Sequence, residues 1–147
     1  MGIATHLGPW LLGTVKDNAG RNVGATFTGQ TKTVAFNDTS ASVACILPAG
    51  SLIFECYLMA TTAFTSGTTA TIQLFVNGSA ITAATTISTG ATGLIELTPG
   101  TSNPTLVTNV GTTDATVTYT ISTATAGAGV LVLQYMVRNP DGSLTNP

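Results

Sequence analysis

Ala115-Thr116-Val117-Thr118-Tyr119-Thr120-Ile121-Ser122 is the stretch that decides the fold. Its odd positions are Ala, Val, Tyr and Ile; its even positions are Thr, Thr, Thr and Ser. Side chains two apart share one face of an extended chain, so this strand has one face on a core and one on water. The small residues Thr123-Ala124-Thr125-Ala126-Gly127-Ala128-Gly129 follow, and then Val130-Leu131-Val132-Leu133-Gln134-Tyr135-Met136-Val137-Arg138. Leu131, Leu133, Tyr135 and Val137 repeat the odd-numbered apolar pattern. The two runs are expected to pair as an antiparallel hairpin, with Gly127-Ala128-Gly129 in the loop between them.

Working outward, the same period recurs. Residues 31–36 alternate, with Lys32, Val34 and Phe36 on one side, and residues 41–47 form a short apolar run. Residues 51–60 put Leu52, Phe54, Cys56 and Leu58 on one face and Ile53, Glu55, Tyr57 and Met59 on the other. A strand apolar on both faces is central or lies at an interface. The second set is therefore the candidate subunit interface. Glu55 reads as a gatekeeper on an edge or as the partner of a cation across that interface.

Residues 61–69 read as a polar loop holding Phe64, and 70–76 as a strand with Ile72, Leu74 and Val76 inward. Asn77-Gly78 is a strong two-residue hairpin signal, because both residues tolerate positive φ in a type I′ turn. Residues 79–87 are expected to return as its partner. Leu94-Ile95-Glu96-Leu97 is a short strand stopped by Pro99-Gly100. Residues 104–110 fit a strand or one helical turn. Many short strands separated by turn signals predict an all-β fold, an antiparallel β-sandwich of jelly-roll-like form. Residues 1–30 are expected to be an extended N-terminal arm, 31–142 the sandwich and 143–147 a tail.

Composition narrows the function. A chain of 147 residues suits one domain with one core. Charged residues make up 7% of it, against about 25% in a typical soluble domain. Threonine is the commonest residue, so the polar faces carry hydroxyls rather than charges. So weakly charged a surface points to burial against copies of the chain or within a larger assembly. The cations Lys16, Arg21, Lys32 and Arg138 are dispersed, which excludes a phosphate-binding cluster and with it nucleic acid as a partner. No apolar run approaches the roughly 18 to 20 residues that span a bilayer, so no membrane is expected. Gly8, Pro9 and Gly13 interrupt the apolar N-terminus, which has no basic leader and is not a standard signal peptide.

Cys45 and Cys56 are the two cysteines. Residues 47–51, Leu-Pro-Ala-Gly-Ser, read as a tight turn. If Leu47 pairs with Ser51, Cys45 faces Ile53 and Cys56 points to the other side. Free thiols are expected, consistent with synthesis in a reducing cytosol.

Catalytic chemistry is nearly absent, and no enzyme activity or cofactor is expected. His6 is the lone histidine, and a nucleophile triad would need an acid to hold it in a pocket. A zinc site needs three or four Cys, His or acidic ligands together. Paired carboxylates in a cleft would mark a glycosidase, but only Glu55 and Glu96 fall within strands. No dinucleotide, Walker or EF-hand loop occurs. Trp10, Tyr57, Tyr119 and Tyr135 could form a sugar platform, although Tyr119 and Tyr135 fall on core parity.

The arm holds the only Trp and must bury it somewhere. Ile3, His6, Leu7, Trp10, Leu11, Leu12 and Arg21 are its candidate partner contacts. The opening Gly2-Ile3-Ala4-Thr5-His6-Leu7-Gly8-Pro9-Trp10-Leu11-Leu12-Gly13-Thr14-Val15, with Arg21-Asn22-Val23-Gly24, resembles the start of small virion proteins of tailed bacteriophages. So do Ala126-Gly127-Ala128-Gly129-Val130-Leu131-Val132-Leu133-Gln134-Tyr135 and Arg138-Asn139 near the other end. The resemblance implies a capsid decoration, or cement, protein: a β-rich module, often a homotrimer, that clamps neighbouring capsomers on the virion surface. Its partner would be the major capsid protein of the shell. The resemblance carries no site motif and assigns no residue a role. A tail or neck protein of the same kind of virion, or a carbohydrate-binding host-recognition module, are the alternatives.

Overall fold

A computed structural model describes residues 15–16, 22–23, 26–38, 41–98, 110 and 113–137, with side chains from residue 28 onward. Its strands are β1 (Val15–Lys16), β2 (Asn22–Val23), β3 (Thr26–Ala35), β4 (Ser42–Leu47), β5 (Ser51–Thr65) and β6 (Thr71–Val76). They continue as β7 (Ser79–Ala80), β8 (Thr85–Thr86), β9 (Gly93–Glu96), β10 (Ala115–Ser122) and β11 (Ala126–Val137). The fold is all-β, as the sequence implies. A front sheet runs β3-β11-β5-β9 and a back sheet β4-β10-β6-β7, with β8 also paired to β6. Every ladder is antiparallel. The short β1 and β2 pair with each other.

β10 follows its alternation as expected. Ala115, Val117, Tyr119 and Ile121 are buried, and the threonines between them face out. Leu131, Leu133 and Tyr135 of β11 are buried as well. Together with Leu47, Ile53, Cys56, Leu58, Phe64, Ile72 and Leu74 they form one core between the sheets. Each fully buried Leu, Ile or Phe contributes about 1.5–3 kcal/mol.

The expected hairpin is corrected. β10 lies between β4 and β6 in the back sheet, and β11 lies between β3 and β5 in the front sheet. The two runs are thus the central strands of opposite sheets, and residues 123–125 cross from one sheet to the other. Thr123 makes that crossing at φ 59, in the left-handed region. Its hydroxyl donates to the Thr69 and Ser122 carbonyls, and the Ser66 hydroxyl donates to its carbonyl at 2.6 Å. Gly127-Ala128-Gly129 is strand rather than loop. The Pro48-Ala49-Gly50 turn also changes sheets, so Leu47 does not pair with Ser51. Both cysteines are nevertheless free, Cys56 buried and Cys45 half-buried.

β5 departs most from its expected parity. Gln134 sits opposite Glu55 and Tyr135 opposite Ile53, which leaves Phe54 as an extra residue in a bulge. The bulge inverts alternation. Ile53 points into the core, Phe54 and Glu55 are both exposed, and Cys56, Leu58 and Ala60 resume the inward face. The strand then continues to Thr65 with further register shifts, so Phe64 is a core residue and not part of a loop.

Asn77 and Gly78, at φ 48 and 82, make the expected two-residue turn. The Asn77 side-chain oxygen also accepts from the Thr116 amide at 3.0 Å. Ser79–Ala80 and Thr85–Thr86 of the return form ladders with β6, and the Ile81 amide donates to the Leu74 carbonyl at 2.9 Å. Between them, the Thr82 hydroxyl accepts from the Leu74 amide at 2.9 Å.

Candidate functional site

The feature that stands out is a surface, not a pocket. On the outer face of the front sheet, strand register lines up two rows. Thr33, Val130, Met59 and Leu94 form one, and Thr31, Val132, Tyr57 and Glu96 form the other. Met59 and Leu94 are directly opposite each other and exposed by 41% and 63%. Val130, Val132 and Tyr57 are half-buried among them. The carboxylates Glu55 and Glu96 flank this apolar centre, and Phe54 is exposed beside Glu55. An open depression lined by Thr28, Gly29, Thr31, Val132 and Gln134 lies on the same sheet, where Gly29 contributes no side chain.

Glu55, Tyr57 and Met59, singled out from the sequence, are therefore brought together on one exposed face. Ile53 is not with them: at 1% exposure it belongs to the core, because the Phe54 bulge turns it inward. Ile3, His6, Leu7, Trp10, Leu11, Leu12 and Arg21 lie outside the described residues. Leu94 had a visible signal, as an apolar residue in a short strand, but nothing local says that it sits beside Met59.

A second exposed apolar group lies on the back sheet. Val43 and Ile46 of β4 are 52% and 58% exposed. Their outer-facing neighbours on β10 are Thr118 and Thr116. An extra residue, Ala44, interrupts the β4 register and breaks the alternation by which the sequence could have shown the exposed side. Lys32 lies nearby, lining a narrow crevice with Gln30, Ala44, Cys45, Leu131 and Leu133. Gln30 ties the two sheet edges together. Its amide donates to the Ile46 carbonyl and to the Tyr135 hydroxyl, both at 3.1 Å.

Tyr119, Asp38 and the two cysteines sit within the fold rather than on the outer face of the front sheet. Tyr119 is buried and donates to Asp38 Oδ2 at 2.6 Å; the same oxygen accepts from the Ala35 amide at 2.9 Å. Burial first, and the adjacent Asp38 carboxylate second, push the Tyr119 hydroxyl above its ordinary range. Burial raises the Cys45 thiol to about 11 and the Cys56 thiol further still. Such thiols are poor nucleophiles. Among the described residues, no group of three or more His, Cys, Asp or Glu could hold a metal ion. Tyr119 and Tyr135 are in the core, so Tyr57 is the candidate sugar-stacking residue left among those described.

No family model matches the chain, and no curated protein matches its sequence. Comparison with solved structures finds two similar chains, the first of which shares its fold. One is a chain of the cyanophage Pam1 capsid asymmetric unit, with a TM-score of 0.56 and 23% identity over 78% of this chain and 87% of that one. The other is a chain of the capsid of Ralstonia phage GP4, with a TM-score of 0.48 and 17% identity over 78% of this chain and 84% of that one.

Proposed function

We propose that this chain is a structural protein of a tailed-phage virion that binds the outside of the capsid and stabilises it as a decoration protein. The observation that carries this reading is the exposed sheet face around Met59 and Leu94, apolar at its centre, which suits contact with protein. The fold shared with a chain of the cyanophage Pam1 capsid supports it. In this reading the arm, through Ile3, His6, Leu7, Trp10, Leu11, Leu12 and Arg21, contacts the major capsid protein. The outer face of β5, through Glu55, Tyr57 and Met59, lies near the interface of a homotrimer made in the host cytoplasm.

A decoration protein has no substrate; its effect is mechanical. Anything that binds the assembled shell and not its separated parts stabilises the shell by mass action. The test is the heat resistance of undecorated phage heads with and without saturating protein. Heads that keep their DNA to a higher temperature in its presence support the reading. Unchanged release, with the protein bound or unbound, contradicts it.

A further inference from the structure

We propose that copies of this chain dock head to tail. The acidic apolar face of one copy's front sheet, around Met59 and Leu94, seats on the β3–β4 edge of the next copy, which carries Lys32 beside the exposed Val43 and Ile46. The inference deepens the self-association in the functional reading above and rests on it.

Charge and burial separate the two surfaces. The first carries Met59 and Leu94, a direct cross-strand pair, with Glu55 and Glu96 at its margin. The second carries Val43 and Ile46 on β4, the outermost strand of the back sheet. Ala44 and Cys45, between those two residues, share a crevice with Lys32. Lys32 is the only cation among the residues whose side chains are described, and it is exposed. It extends from β3, the outermost strand of the front sheet on the side where Gln30 bridges to β4. The Asp114 carboxylate, just before β10, accepts from the Ala49 amide at 3.0 Å.

These surfaces complement each other but not themselves. Two front faces packed together would set Glu55 and Glu96 against their own copies, and opposed like charges cost several kcal/mol. Face against edge instead brings Glu55 and Glu96 to Lys32 and buries apolar groups from both sides. A heterologous contact of this kind closes into a ring when the rotation between copies allows.

The test is sedimentation velocity of the full-length chain at tens of micromolar, with far-UV circular dichroism to verify folding. Glu96→Lys and Lys32→Glu are each expected to weaken association at least about tenfold. The double variant Glu96→Lys/Lys32→Glu, which restores opposite charges, is expected to regain it. Leu94→Ser is expected to weaken association independently of salt. An oligomer indifferent to all three charge variants overturns this interface while leaving the functional reading intact. A wild-type monomer that still protects phage heads overturns this interface and the homotrimer while leaving capsid stabilisation intact. Recovery in the double variant supports the pairing.

Discussion

A Cβ at Gly127 would lie 2.4 to 2.7 Å from atoms of Phe64, including its backbone Cα, and the residue sits at φ 127. Contact with backbone leaves nothing to swing aside, and the backbone conformation itself disfavours any other residue. Gly127→Ala is therefore expected to destabilise the fold by more than about 2 kcal/mol, read as a lower urea midpoint with an unchanged slope. The buried thiols and Tyr119 give a second expectation. Each has a folded pKa raised above its unfolded value, so the protonated form is favoured by folding. Their contribution is fully present below the ordinary thiol value of 9.0 and is lost as pH rises through the folded values, about 11 for Cys45. The urea midpoint should fall between pH 8 and pH 11; a constant midpoint would mean that the thiols and the phenol are solvated. Residue-scale patterns were legible where alternation was regular, as at Val117, Tyr119 and Ile121. Phe64 was hidden because Thr61, Thr62 and Thr65 around it read as a polar loop, whereas the register shifts of β5 keep that stretch in the sheet and aim the ring inward.

At the scale of elements, the sequence exposed strands better than their partners. The Asn77-Gly78 turn was readable because its chemistry specifies its dihedral angles. Residues 123–125 were not, because a short flexible link looks the same whether it returns within a sheet or crosses to the other. The Phe54 bulge was likewise invisible, since Leu52, Phe54, Cys56 and Leu58 satisfy simple alternation on paper. Deletions distinguish the two descriptions of β5. Without Phe54, Ile53 still faces Tyr135 and Glu55 still faces Gln134, so both faces keep their side chains. Without Tyr57, straightening the strand would place Glu55 opposite Leu133, where Cys56 is now buried. A buried unpaired carboxylate costs far more than a lost bulge. Deletion of Phe54 is expected to cost about 1–2 kcal/mol, and deletion of Tyr57 to abolish cooperative thermal unfolding. Equal tolerance of both would contradict the bulge.

The whole molecule combines a core satisfied within the sandwich with an outer face that is not. Fold class was legible from periodicity and turn chemistry. Part of the candidate surface was legible too, as Glu55, Tyr57 and Met59 on one strand face. Leu94, Val43 and Ile46 were not, because long-range register and a second bulge place them. The arm adds a separable expectation: removing residues 2–15 should leave the sandwich's unfolding transition in place and eliminate binding to the shell. Retained binding would move the contact to the sheet faces. The most direct measurement is co-sedimentation of the full-length protein with undecorated phage heads across a concentration series, alongside its mass in free solution. Saturable pelleting at an integer number of trimers per capsomer is the expected result. A folded protein that stays in the supernatant at every concentration would contradict the proposed role.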